Sequence, residues 1–568
     1  MGLKRLPVDD PDFCSIIPGN YLYADKTQYI YKLITRFRCC FLSRPRRFGK
    51  TLLLDTIGEL FGGDRNLFKG LWIDTRKKYN YQRHPVLRFS LDYAEIPDPD
   101  FLRDSIKTIL RNFAEREKIT LTQDSYGHML DELLQSLYMK HGVGSVVLID
   151  EYDGPVAWNI TDSKLAKANS EILHHFFSAM KRNKRFIRFS LVTGVTRFAF
   201  AAMDSGPNNF FDISLEPEFA GICGFTIKEF YNLFNDRFPR TLASLKKAGD
   251  IGKDADKTAL LKTIASWYDG YNWLAKQRVL NPYSIIYLFY RKRLSTYWPM
   301  SGRPTHISKL AAEMPLEYMQ PKLDSYFTDE IKTTELGKIS PAPILFHSGY
   351  LTIGKRIHVE IPFQDDMANQ EAFIFKIPNM EVGICFKAFI FGQIFDRPFA
   401  YYQIFTKKLI VALLKKDSQE ISNLLHDLLA GITFKLHTAA EKYYHSLFHA
   451  AFVGAGIEVL SETDSSKGQA DMSLFLEDKI RVVIELKYRW GNCSAAEGSA
   501  SEAESQRSER DLSSALDDAE TAIRTKDYPG PFRANAKKII CLALAVRGRD
   551  EVAARFMDSV ATLEKPAP

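Results

Sequence analysis

The stretch LSRPRRFGKTLLLDT, Leu42 to Thr56, decides how the first half of the chain is read. It ends like a phosphate-binding loop, with Gly49, Lys50 and Thr51, but Arg44 stands where such a loop usually has its first glycine. The flanks favour a loop. RCCFLS (Arg38 to Ser43) is a short apolar run of strand length, and Leu52, Leu53, Ile57, Leu60 and Phe61 follow at helical spacing. Strand, turn and helix are the setting this chemistry needs. Backbone N–H groups at a helix start point at phosphate, and the helix dipole favours its negative charge. Gly49 lets the backbone approach, Lys50 is placed for the outer phosphates, and the Thr51 hydroxyl for Mg²⁺. Pro45 stiffens the turn in place of the missing glycine. With Arg44, Arg46, Arg47 and Phe48, these residues are the candidate nucleotide contacts. The alternative is a basic surface loop before an ordinary helix.

Two later segments fit the first reading. In GSVVLIDEYDGPV (Gly144 to Val156), Val146 to Ile149 reads as a strand buried on both faces, with Asp150 and Glu151 at its C-terminal end. Ligands of α/β sheets bind at that end. Asp150 is expected to hold Mg²⁺, Glu151 to orient or activate the attacking water, and Asp153 to extend the acidic cluster. The alternative is a buried strand ending in a solvated acidic turn. In RFIRFSLVTGVTRFA (Arg185 to Ala199), Thr193 is a candidate γ-phosphate sensor and Arg197 a candidate arginine finger. The alternative is a strand end and a surface arginine. Together the loop and the acidic strand predict ATP or GTP binding.

Composition bounds the rest. The 568 residues are too many for one core. A hydrophobic share of 45% and a charged share of 26% are those of an ordinary globular protein. Seven scattered cysteines without a CxxC pair point to reduced thiols, hence a cytoplasmic location, and away from a disulfide framework or zinc site. There is no apolar run of membrane-spanning length and no signal-peptide h-region, so no membrane partner is expected. A net charge of +7 permits nucleic-acid binding without requiring it.

The chain resembles the AAA-ATPase-like proteins, which join a P-loop ATPase to a C-terminal PD-(D/E)XK nuclease-like domain. YLYADKTQYIYKL (Tyr21 to Leu33) is similar to that family's opening segment, and SRPRRFGKTLLLDT to its phosphate loop, which also carries Arg-Pro-Arg-Arg. LIDEYD, GICGFT, WYDGYNW, NPYSI, SGYLTI and IPNMEV resemble its later blocks, in order. Arg44 is therefore a feature of the family's loop. The resemblance implies an α/β protein: a P-loop parallel sheet with a helical lid, then a C-terminal α/β nuclease-like domain.

The expected divisions are an ATPase core over 1–223, a helical lid over 224–289, a connector module over 290–430 with a hairpin near GYLTIGKRIHVEIP, and a nuclease-like domain over 431–562. The small polar tract 491–510 reads as a disordered insertion. The aromatics of WYDGYNW read as packing ahead of an adenine contact. KRNKRFIR (Lys181 to Arg188) reads as a solvated helix end, and His174 with His175 and His445 with His449 as core or surface residues, not metal pairs.

GQADMSLFLEDKIRVVIELKYRW (Gly468 to Trp490) reads as a β-hairpin turning at Glu477 and Asp478. Glu485 and Lys487 share one strand face, and Asp471 can oppose them. Converging carboxylates can hold a divalent metal beside a phosphodiester, with a lysine to orient water. The alternative is a solvent-facing hairpin with an ordinary Glu/Lys pair. The Asp…Glu-x-Lys arrangement resembles the PD-(D/E)XK core, and the resemblance adds Glu441 at the edge of the site. One departure is Ala522, where family members usually carry a glutamine. The expected protein uses ATP and Mg²⁺, with Mg²⁺ or Mn²⁺ at the second site, and acts on nucleic acid, DNA ahead of RNA, as a monomer or homo-oligomer. Its nucleotide state gates the second domain. The rival is a signalling or scaffold ATPase whose C-terminal domain binds nucleic acid without cutting it.

Overall fold

The computed structural model describes residues 3–8, 12–76, 79–93, 96–159, 162–196, 210–274, 276–298, 325–327, 341–363, 366–395, 397–430, 432, 440–476, 479–490 and 502–557. The chain divides into two compact units, the bulk of the first ending at Gly383 and that of the second beginning at Ile384.

The first unit is built on a parallel sheet of β1 (Cys39–Ser43), β2 (Val86–Ser90), β3 (Ser145–Asp150), β4 (Ile187–Gly194) and β5 (Phe211–Asp212), in the order β2-β3-β4-β1-β5. Every residue of β3 is buried, as the continuous apolar run requires of a strand covered on both faces. β4 lies between β1 and β3, so the C-terminal ends of all three converge. The helix Lys50–Gly62 follows β1 and packs against β3.

Beyond the sheet, Ile227–Phe234, Phe238–Ala248, Lys257–Tyr268 and Pro282–Arg291 are helices. Their shared core holds Phe230, Phe234, Phe238, Leu288 and Phe289, and Leu22 of the opening segment joins it. Thr226 and Glu229 form a reciprocal capping box at the first of these helices.

The hairpin expected in the connector is present, as Thr352–Phe363 paired antiparallel with Asp366–Lys376. The connector, however, is not a module of its own. Its hairpin belongs to the first unit, while the helices Phe399–Lys415 and Ser418–Ala430 belong to the second. The reason is burial: Phe405, Leu409, Leu425 and Leu428 share a core with Val482, Ile484 and Leu544.

The second unit carries a five-stranded sheet, Glu458–Ser465, Gly468–Leu476, Ile480–Arg489, Lys538–Arg547 and Glu551–Phe556, in chain order. The predicted hairpin is its second and third strands, and residues 477 and 478 lie outside the described residues. One face of the sheet meets the helix Glu441–Gly454 and the two helices before it. The other meets the helix Glu502–Thr525 through Ala515, Leu516, Ala519 and Ile523. This corrects the disordered-insertion expectation: residues 502–510 open that helix, and 491–501 lie outside the described residues.

Candidate functional site

The loop after β1 turns through left-handed backbone at Arg47 (φ +67°) and Gly49 (φ +91°), and Gly49 is the N-cap of Lys50–Gly62. A side chain at Gly49 would meet no atom within 4 Å, so conformation, not space, calls for glycine there. Lys50 is buried, and its Nζ donates to the carbonyl oxygens of Arg44 (3.0 Å) and Pro45 (3.2 Å).

Asp150, at the end of β3, is gripped from both neighbours. Thr51 Oγ1 donates to its Oδ2 at 2.6 Å, and Thr193 Oγ1, from the end of β4, donates to its Oδ1 at 2.5 Å. The Glu151 N–H donates to the same Oδ1 at 3.0 Å. A hydroxyl and a carboxylate side by side are hard oxygen donors of the kind Mg²⁺ takes, with water completing its shell. Glu151 sits in left-handed backbone (φ +49°). Burial pushes its carboxyl up to about 7, against the pull of Lys50 and with a further push from Asp92.

Lys50, Thr51 and Glu151 border one cavity of about 630 Å³. Its polar lining includes Arg46, Arg47, Lys50, Thr51, Asp92 and Glu151, and its apolar lining Leu22, Ala24, Pro282, Tyr283, Ile286 and Tyr287. A cavity of this size with both kinds of lining has the character of a small-molecule site.

In the second unit the hairpin ladder ends at Met472 opposite Ile484, with Asp471 and Glu485 each one residue beyond it. The Asp471 carboxylate reaches across, and its Oδ2 accepts from the Leu486 N–H at 2.7 Å. Lys487 Nζ donates to Glu485 Oε1 (2.9 Å) and to the Leu486 carbonyl (3.1 Å), with Glu441 Oε1 at 3.6 Å. Glu441 Oε2 accepts from the Tyr488 N–H at 3.0 Å, which puts Glu441 at the edge. Burial, and next the charge of Asp471, push the Glu485 carboxyl up to about 7. Its Oε2 is buried without a hydrogen-bond partner.

Among the described residues no three His, Cys, Asp or Glu side chains gather as a metal cage. Two carboxylates, one of them with an orphaned oxygen, and a main-chain carbonyl still fit Mg²⁺ or Mn²⁺, which keep several waters.

Residues 7–203 match the family model described as predicted AAA-ATPase, and residues 439–555 match that of the PD-(D/E)XK nuclease superfamily. Over 498 residues, 86% of this chain and 90% of the other, the sequence is 30% identical to the "uncharacterized protein in vnfD 5'region" of Azotobacter chroococcum mcd 1. The chain belongs to the predicted AAA-ATPase family, with a C-terminal PD-(D/E)XK nuclease superfamily domain.

Within the AAA-ATPase domain the structure separates residues that the sequence grouped. Arg44 is not a phosphate contact. It is fully buried, its guanidinium 4.2 Å over the Trp273 ring, donating to the carbonyls of Ser43 and Ser214 at 2.8 Å each. Burial lowers its pKa to about 10. Phe48 borders the cavity but is buried edge-on against Tyr271 and Trp273, so the WYDGYNW aromatics are packing. Asp153 does not extend the acidic cluster. Its oxygens accept from the Val195 N–H and from the N–H and hydroxyl of Thr196. Arg197 lies outside the described residues.

Other residues of the first unit that line the cavity were missed by the sequence reading. Asp92 follows a short strand with nothing in its sequence to mark it, and Tyr283 and Tyr287, beyond the matched AAA-ATPase segment, look like ordinary helix aromatics. In the PD-(D/E)XK domain the histidines of Glu441–Gly454 are structural: His445 Nε2 bonds the Asp471 carbonyl at 2.8 Å, and His449 Nδ1 bonds Ser461 Oγ at 2.6 Å. In the basic run 181–188, Arg182 bonds Asp131 and Arg188 the Ile34 carbonyl, while Lys181, Lys184 and Arg185 are exposed, as a solvated helix end would be.

Proposed function

We propose that the protein binds and hydrolyses ATP at the first site and cuts nucleic acid, DNA ahead of RNA, at the second, with the nucleotide state gating the cut. The observation that carries the ATPase reading is the buried Asp150 carboxylate held between Thr51 and Thr193, beside Lys50 and Glu151. Thr51 and Asp150 would hold Mg²⁺, which supplies charge to the phosphates. Lys50 binds the outer phosphates, and Arg46 and Arg47 add positive charge to the lining of the same cavity. Glu151, its carboxyl near 7, is suited to hold a proton taken from the attacking water at neutral pH.

For the second activity the supporting observation is the convergence of Asp471 and Glu485 where the hairpin ladder ends. With the Leu486 carbonyl they would hold Mg²⁺ or Mn²⁺, which supplies Lewis-acid charge at the scissile phosphate. Lys487 neutralises the buried carboxylate and can orient water. The binding-only reading is favoured by one residue, Ala522, which brings no polar atom to the apolar cluster on this face of the sheet.

A cleavage assay with Mg²⁺ or Mn²⁺ on varied DNA and RNA, with and without ATP, tests the proposal. Metal-dependent cutting that Asp471→Ala removes supports it. Binding without cutting under every metal favours the scaffold reading.

A further inference from the structure

The strand Gly468–Leu476 lapses from regular pairing at Asp471. Toward Glu458–Ser465, Ser461 pairs with Met472 and Thr463 with Ala470, so the ladder passes over Asp471 and Glu462. Glu462 sits in left-handed backbone (φ +51°). Toward Ile480–Arg489 the ladder ends at Met472 opposite Ile484. Among the described residues Asp471 therefore has no cross-strand partner in either ladder, and what holds it in place must come from elsewhere.

Two bonds take over. Asp471 Oδ2 accepts from the Leu486 N–H at 2.7 Å, which ties its side chain to the neighbouring strand. Its main-chain carbonyl oxygen lies 2.8 Å from His445 Nε2. A carbonyl oxygen only accepts, so the proton is on Nε2 and the imidazole donates. His445 stands one turn beyond Glu441 on the helix Glu441–Gly454, which puts the two side chains on one face of that helix. Glu441 Oε2 accepts from the Tyr488 N–H at 3.0 Å. One turn of helix thus holds both strands just past the point where their ladder stops, Glu441 on one and His445 on the other.

We propose that His445 is a positioning residue of the divalent-metal site: its Nε2–H holds the Asp471 main chain where the ladders lapse, and so sets where the Asp471 carboxylate stands relative to Glu485. The inference rests on reading the domain as a metal site. Two carboxylates share one cation only when each is placed to within about 0.5 Å, and regular strand pairing does not supply that at Asp471. The helix supplies it through His445.

In the full chain without nucleotide, Mn²⁺ titration followed by electron paramagnetic resonance of the free ion reads the site, and Asp471→Ala defines which binding belongs to it. His445→Leu keeps bulk and removes the donor. His445→Gln keeps an N–H donor near the place of Nε2. His445→Leu is expected to weaken the Asp471-dependent binding roughly tenfold, and His445→Gln to restore most of it. Hydrogen exchange of the Leu486 amide, whose acceptor is Asp471 Oδ2, gives a readout without metal. It should speed up in His445→Leu and stay near parental in His445→Gln, while ATP turnover is parental in both. Parental Mn²⁺ affinity or parental Leu486 exchange in His445→Leu, with Asp471→Ala failing to bind, would overturn the role of His445 and leave the metal-site reading standing. Equal losses in His445→Leu and His445→Gln would mark packing of the ring, not its donor, and also overturn it. If the parent itself has no Asp471-dependent Mn²⁺ binding, the metal-site reading fails and this inference with it.

Discussion

Lys50 and Glu151 border the same cavity with opposite charge, and their substitutions should separate binding from chemistry. Lys50→Ala removes the ammonium at the loop and is expected to weaken ATP binding by roughly a hundredfold in a calorimetric titration. Glu151→Gln keeps the shape and removes the base. It should bind ATP like the parent and hydrolyse it roughly a hundredfold or more slowly. Equal binding by Lys50→Ala and the parent would reject the loop assignment. The arginines divide in the same way. Arg46→Ala should weaken ATP binding, more at low salt than at high salt, because it thins the positive charge that lines the cavity. Arg44→Ala should instead destabilise the fold by about 2–4 kcal/mol, with little salt dependence, since it strips a buried side chain from Trp273 and two carbonyls. Residue type made the loop legible in the sequence. Nothing in Arg-Pro-Arg-Arg says which arginine turns inward, because the ring that receives Arg44 comes from a distant block.

At the scale of elements, the late blocks clasp the phosphate loop from behind. The Trp298 indole donates to the Arg46 carbonyl at 3.3 Å. Gly349, at φ +91°, lies where a side chain would come within 2.8 Å of Pro45. The fully buried Glu381 ties these parts together: its Oε1 accepts from the Tyr297 and Trp298 N–H groups (2.6 and 2.9 Å), and its Oε2 from Ser284 Oγ (2.7 Å). Burial still outweighs those hydrogen bonds and pushes its carboxyl up to about 7. A folded-state pKa above the ordinary value means that the folded chain keeps a proton the unfolded chain releases. The stabilisation is complete below about pH 4.5 and is lost as pH rises through 7. Unfolding midpoints measured from pH 5 to 8 should therefore fall for the parent. Glu381→Gln, which keeps the Oε1 acceptor, should flatten that fall by on the order of 2 kcal/mol. An unchanged slope in Glu381→Gln would place the titration elsewhere. β1 and β3 could be read from their apolar runs and β4 from its mainly apolar stretch, but this clasp could not, since its partners are scattered along the chain. Glu502–Thr525 misled for a different reason. Its buried stripe begins near Leu512, so residues 502–510 show only small, polar and charged side chains.

For the whole molecule, the two sites lie in separate compact units, Lys50 and Asp150 in the first, Asp471 and Glu485 in the second. Each has its own core, the apolar cluster around Val482, Ile484 and Leu544 belonging to the second alone. Substitutions at one site should therefore not perturb the chemistry of the other, because sites that share no partners act additively. Asp471→Ala is expected to abolish metal-dependent cleavage and leave ATP binding and turnover at parental values. Lys50→Ala should lose ATP binding and keep Asp471-dependent Mn²⁺ binding. What then remains is the coupling. If nucleotide state gates the cut, cleavage by the parent changes with ATP, while cleavage by Lys50→Ala stays at the nucleotide-free rate whatever the ATP concentration. Glu151→Gln, which should bind ATP without consuming it, then distinguishes occupancy from turnover. If occupancy is the signal, it cuts at the ATP-bound rate and holds it. If turnover is the signal, it cuts at the rate of Lys50→Ala. A parent whose cleavage is indifferent to ATP would refute gating while leaving both sites in place, since coupling is a free energy between sites and neither site requires it for its own chemistry.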